Sequence, residues 1–259
     1  MKSVQLNQTI NFLYNQVFGV TTRVLIQGAL ASYYAGNISA NTEFAAAYND
    51  LQTAIGTQAN LLAGQVYTSN FTRLQNLTFT TVNYTFPDSL YPTALPPLSP
   101  NQNPTTAGQV LGPASIADSP GLYALSFTIP ILNNNASSVP LILGYMSMIV
   151  NGNGLLRAVN DSTGMGATGQ LLLLAQNNDT YQVILPPLRT PDIYGAVYNI
   201  SQYPAAKVAF QNKTGYLIDT HNADGADVSV GYTVCKLYLL SNHSFLHFDS
   251  CRGECSQSN

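Results

Sequence analysis

Between residues 2 and 35 apolar side chains return at steps of three and four. Val4, Ile10, Leu13, Val17, Val20, Val24, Leu25, Leu30 and Ala31 follow the repeat of an α-helix, and Ala-Gly-Asn at 35–37 supplies a glycine stop. The spacing predicts one long helix over 2–35 and a second from about Thr42 to Leu62. The period then falls to two, and "GQVYTSNF" (64–71) and "LTFTTVNYTF" (77–86) read as strands. Residues 87–121 carry Pro87, Pro92, Pro96, Pro97, Pro100, Pro104, Pro113 and Pro120, which predict a long irregular loop.

Beyond 121 the strand pattern returns. "LYALSFTIPIL" (122–132) and "PLILGYMSMIV" (140–150) predict two strands, "NGLLRAVNDS" (153–162) a short helix, and 169–187 two strands around an Asn-Asn-Asp turn. A short helix is expected over 203–211 and a hairpin over 215–235. This order describes an α+β protein with an antiparallel sheet and helices on one face. It divides the chain into a first helix (1–36), a helix with strands (37–86), a Pro-rich loop (87–121), a core (122–235) and a tail (236–259).

Composition changes the picture. The chain of 259 residues is 46% apolar, enough for one sizeable core or two small ones, yet only 8% charged, against about 25% in ordinary soluble domains. Nine Lys plus Arg and a net charge of −3 exclude a phosphate-binding face, so nucleic acid is not an expected partner. A charge-poor surface needs another source of solubility. Asn-x-Ser/Thr occurs eleven times, at Asn7, Asn37, Asn70, Asn76, Asn83, Asn135, Asn160, Asn178, Asn199, Asn212 and Asn242, where roughly four would arise by chance. These are N-glycan acceptor motifs, and they imply passage through a secretory pathway. The opening "MKSVQLNQTINFLYNQ" lacks the apolar stretch of a signal peptide, and no window reaches the roughly 18 apolar residues of a membrane span. The chain is therefore expected to be part of something larger.

Motifs for chemistry fail on context. "GMGATG" (164–169) matches G-x-G-x-x-G, but a helix is predicted before it and a strand after, the reverse of a dinucleotide loop. "DTHNADGADVS" resembles a calcium loop, yet aligning Gly225 with the loop glycine leaves Thr220 at the first ligand position and Gly231 at the twelfth. His243, His247, Cys251 and Cys255 stand four apart, a spacing and order unlike usual zinc sites, and three cysteines (Cys235, Cys251, Cys255) make no complete disulfide framework. No paired carboxylates or nucleophile elbow can be nominated. No catalytic, cofactor or metal residue is assigned, and the chain is not expected to be an enzyme.

Several stretches, in order, resemble the extracellular domain of the fungal osmosensing hybrid histidine kinases, which act upstream of the high-osmolarity glycerol MAP-kinase pathway. They are "SVQLNQTINFLYNQ", "YYAGNISA", "LSFTIPI" (125–131), "LGYMSMIVNGNGLLRAVNDST" (143–163), "YQVILPP" (181–187) and "GYTVC" (231–235), the last carrying Gly231, Tyr232 and Cys235 as Gly-Tyr-x-x-Cys. The resemblance runs from about residue 3 to 235. It implies a glycosylated ectodomain at the outer face of the plasma membrane, between two membrane helices outside this chain. It implies a PAS- or Cache-like sheet, homodimerisation along the first helix, and a first helix that carries a shift toward a cytoplasmic phosphorelay. Any pocket is expected over the sheet near the 145–187 strands. Kinase and receiver domains belong to the implied parent. The alternative reading is a secreted, wall-associated or adhesive glycoprotein. After Cys235 the resemblance ends: Cys-Lys-Leu can be encoded TGT AAG T, which contains an intron-donor-like GTAAGT. Residues 236–259 are therefore expected to be an unspliced intron or a frameshift.

Overall fold

A computed structural model describes residues 2–36, 40–55, 60–78, 82–94, 108–133, 141–165, 167, 169–177, 179–211, 214–222, 225–235 and 245–251. The chain falls into two compact units: an inserted unit, Asn11–Gly152, and a split unit made of Met1–Ile10 with Asn153–Asn259. The boundary after Gly152 lies inside the span expected as a single core.

The first long helix is two helices, α1 (Lys2–Thr21) and α2 (Val24–Tyr34). The break has a local cause. Thr21 and Thr22 turn their hydroxyls back onto the carbonyls of Phe18 (2.9 Å) and Gly19 (3.1 Å), a bond that competes with the helix ladder. Arg23 then adopts extended backbone (φ −71°, ψ 132°). Its guanidinium makes a two-pronged bond to Asp50 on α3 (Ala40–Ile55), at 2.5 and 2.6 Å. The buried stripe of α1 is Leu6, Ile10, Leu13, Val17 and Val20, while Val4, Val24 and Leu25 of the expected stripe face outward.

In the inserted unit a five-stranded antiparallel sheet runs β2-β1-β5-β4-β3. Its strands are β1 (Leu61–Thr68), β2 (Arg73–Thr78), β3 (Gln109–Ser115), β4 (Tyr123–Asn133) and β5 (Leu141–Asn151). Leu125, Phe127, Ile129 and Ile131 pair with Val150, Met148, Met146 and Gly144 and form one face. That face meets the helices: Tyr14 lies against Phe127, and Tyr34 donates to the carbonyl of Leu143 at 2.8 Å. Each such buried side chain stabilises the fold by about 1.5–3 kcal/mol. A Cβ on Gly144 would stand 2.3 Å from the carbonyl oxygen of Tyr67 across the strand pair, so only glycine fits.

Three expectations are corrected here. Leu61 and Leu62 begin β1 rather than ending a helix, because β1 is an inner strand buried along all eight residues. Residues 82–87 are irregular, and Tyr84 and Phe86 turn onto a cluster with Leu90, Ile116 and Leu122. The Pro-rich loop contains β3, which tolerates Pro113 because it is an edge strand with a register shift between Leu111 and Ala114.

The split unit holds α4 (Asn153–Asn160), α5 (Pro204–Ala209) and a six-stranded antiparallel sheet ordered β8-β7-β6-β11-β10-β9. The strands are β6 (Gln170–Asn177), β7 (Thr180–Val183), β8 (Val197–Asn199), β9 (Gly215–His221), β10 (Asp227–Cys235) and β11 (Phe245–Cys251). Residues expected to be a foreign tail thus supply β11, which pairs with β6 on one side and β10 on the other. α5 lays Ala205, Ala206 and Ala209 on Leu172, Leu174, Tyr181, Val183, Val228, Val230 and Tyr232, a core of aliphatic side chains and tyrosine rings.

Candidate functional site

The inserted unit presents its second sheet face to the segment 82–91. Between them lies a cavity of about 530 Å³, lined by Ala63, Gly64 and Gln65 of β1, Arg73 and Asn76 of β2, and Val82, Asn83, Tyr84, Phe86, Asp88 and Tyr91. This cavity lies over β1 and β2, where residues 82–91 pass over the sheet in an arch and carry a short 3-10 turn, Asp88–Leu90. The arch is pinned at Thr85, whose backbone N–H donates to Asp118 at 2.9 Å. Bonds from Thr85 hold the Asp118 carboxyl below its ordinary pKa.

Strand register organises this face into rows. Gln109 pairs with Thr128, Thr128 with Ser147, Ser147 with Gln65, and Gln65 with Asn76. Facing partners in antiparallel strands share a face, so five hydrogen-bonding side chains, one from each strand, form a single line. Gln65, Thr128 and Ser147 are buried. Tyr67 Oη donates to Gln65 Oε1, and Gln65 Nε2 donates to Asn76 Oδ1 at 3.1 Å. Ser147 shares a 2.8 Å bond with Ser126. Thr128 Oγ1 and Gln109 Oε1 are buried with no hydrogen-bond partner.

The next row is aromatic: Arg73, Tyr67, Tyr145 and Pro130 face one another in order. Phe71, at the β1–β2 turn with φ +68°, folds over it and stacks on Tyr67 at 4.7 Å. Burial pushes the phenols of Tyr67 and Tyr91 up. The Arg73 charge opposes this at both, and the Asp88 charge adds to it at Tyr91. Arg73 and Asp88 therefore both act on the cavity. Neither makes an ion pair among the described residues.

The predicted acceptor asparagines divide. Asn70, Asn76, Asn83 and Asn199 are exposed, Asn7 and Asn160 half-buried, and Asn37, Asn135, Asn178, Asn212 and Asn242 lie outside the described residues. At Asn70 and Asn199 the motif's own hydroxyl donates to the asparagine Oδ1, from Thr72 at 3.2 Å and from Ser201 at 2.7 Å. Asn160 Oδ1 is buried without a partner. In the Gly-Tyr-x-x-Cys motif, Gly231 faces Tyr216 of β9, Tyr232 fills the core against Gly215, and Cys235 ends β10. Its described parts serve packing.

The glycine-rich match sits between α4 and β6, with Gly164 in a turn at φ +82°. The calcium-like stretch lies at the β9–β10 hairpin, where Asn222 accepts from the N–H of Ala226 at 2.9 Å. His247 and Cys251 lie on β11, whereas His243 and Cys255 fall outside the described residues. Among the described residues no helix is long and apolar enough to cross a membrane. Sequence reasoning missed the cavity and the polar row. The only signal was the unusual count of Ser, Thr and Gln in otherwise apolar strands.

No family model matches the chain. It is 26% identical over 254 residues to an osmosensing histidine protein kinase of Saccharomyces cerevisiae, an alignment covering 93% of this chain and 20% of that protein. The chain thus spans about a fifth of that kinase's length. Its fold matches the periplasmic sensory domain of a Campylobacter jejuni chemoreceptor (TM-score 0.55, 12% identity, covering 96% of this chain and 90% of that one). It also matches the extracellular domain of a histidine kinase designated mmHK1S-Z2 (TM-score 0.52, 14% identity, covering 96% and 94%). The chain thus has the Cache/PAS-like fold of sensor domains that histidine kinases and chemoreceptors carry outside the membrane.

Proposed function

We propose that this sensor domain receives an osmotic or turgor stimulus for a membrane histidine kinase and passes it inward through α1. The observation that supports this is the similarity to an osmosensing kinase over 93% of the chain. The parent would supply the membrane helices, the kinase and the phosphorelay. Helix displacements of about 1–2 Å are an established switching motion, and the five buried apolar residues of α1 fix it firmly enough to transmit one. A homodimer would form along the outer side of α1 and α2, where Val4, Phe12, Phe18, Val24 and Leu25 are exposed. N-glycans at exposed acceptors such as Asn70 and Asn199 would offset the scarcity of surface charge.

The test uses the full-length parent in cells. Phosphorylation of its receiver is followed through upward and downward osmotic steps, with this domain intact or replaced by an unrelated domain of similar size. An osmotic response that survives the replacement rejects the reading.

A further inference from the structure

We propose that the cavity face of the inserted unit is a carbohydrate-binding site, one that takes a neutral, polyhydroxylated molecule. The inference deepens the sensor reading by naming the ligand class of its cavity.

The chemistry starts from the row. Gln109, Thr128, Ser147, Gln65 and Asn76 offer amides and hydroxyls, each able to give and to take hydrogen bonds. A carboxylate only accepts and an ammonium only donates, whereas every sugar hydroxyl does both, as this row requires. Thr128 is 1% exposed, and its Oγ1 has no partner. Neighbouring Gln109 Oε1 is buried in the same state. Those two lie outside the cavity; the part of the row that lines it is Gln65 and Asn76, joined there by the Asn83 amide, and these amides offer a ligand both donors and acceptors. The cavity end is ordered in advance: Tyr67 and Asn76 hold both ends of the Gln65 amide. Tyr84, Phe86 and Tyr91 supply apolar faces for the C–H side of a ring. Arg73 and Asp88 line the same space and can make charge-assisted bonds to hydroxyls.

Two sources share this chemistry. One is a free sugar or polyol. The other is the chain's own N-glycan, since Asn76 and Asn83 both line the cavity.

The experiment uses the whole chain made without glycans in bacteria and with glycans in a yeast host. Saturation-transfer NMR and titration calorimetry are run with trehalose, N-acetylglucosamine, glycerol and, as a charged control, L-alanine. The glycan-free chain should bind at least one of the three hydroxylated probes saturably. Gln65→Met, which keeps the length and removes the amide at the cavity, should weaken that binding about threefold to tenfold. Thr128→Val, in the same row but outside the cavity, should leave the binding unchanged. If the glycosylated chain binds equally well, a free solute is the ligand. If it binds only after Asn76→Gln and Asn83→Gln, the glycan is the occupant. Three results overturn the proposal: no saturable binding of any hydroxylated probe to the glycan-free chain, binding of L-alanine alone, or an unchanged affinity in Gln65→Met.

Discussion

The two units solve one topological problem and fill it differently. In each sheet the last strand lies beside the first, β5 against β1 and β11 against β6, and a connecting segment crosses one face. In the split unit that segment is α5, whose alanines let it press against Leu172, Leu174, Val228 and Val230. In the inserted unit it is the irregular arch 82–91, which leaves about 530 Å³ open above Gln65 and Asn76. A helix of small residues closes a face, and an arch of aromatics with polar strands beneath it keeps one open. Close packing marks the face that only holds its shape, and an open polar floor marks the face with room to bind.

The sharpest way to break this comparison is a matched pair of core substitutions. Leu174→Ala removes a fully buried side chain from the dry face and should lower unfolding free energy by about 2–5 kcal/mol in denaturant titration. Gln65→Leu, at the equivalent depth of the open face, should stay within about 1.5 kcal/mol of the parent. Equal costs would mean that the faces do not differ. The next effect concerns the strand pair that supports the arch. Gly144→Ala should cost about 1–3 kcal/mol by forcing β5 from β1, seen as faster amide exchange along Val66–Thr68.

The helix break offers a smaller effect with a pH signature. Arg23 and Asp50 are 36% and 24% exposed at their side chains, so solvent screens them and a double-mutant cycle should give a coupling of at most about 1 kcal/mol. The bond to Arg23 lowers the pKa of Asp50. That contribution is therefore present above the unfolded carboxylate pKa and is lost as pH falls through the folded value, so Arg23→Ala should matter at neutral pH and cease to matter in strong acid. Raised salt should shrink the coupling at neutral pH. The smallest structural consequence attaches to the acceptor asparagines. Glycopeptide mass spectrometry on yeast-made chain should find Asn70 and Asn199 occupied more fully than Asn160, whose amide oxygen is buried. Asn199→Gln should cost only about 0.5–1 kcal/mol through the lost cap on Ser201.

Much of this fold was legible where periodicity is local. The strands at 122–132 and 140–150, α4, the 169–187 pair and the 215–235 hairpin follow from residues read a few places apart. The break at Thr22 was not, because what finishes it is Asp50, 27 residues on. β3 was hidden by its own prolines, whose meaning depends on edge position. The site was the least legible part. Gln65, Asn76, Gln109, Thr128 and Ser147 look unrelated along the chain and become a row only once four strand registers are set.

The splitting of one unit around the other also has a consequence in time. During synthesis, at about 5–20 residues per second, Asn11–Gly152 is complete as a contiguous stretch before any of Asn153–Asn259 exists. The first ten residues must wait through all of it for the rest of their own unit, and the sheet of that unit closes only when β11 slides between β6 and β10. The inserted unit can mature early and alone. The split unit depends on the latest pairing in the chain, and a stall or truncation before Phe245 would leave β6 and β10 as open edges.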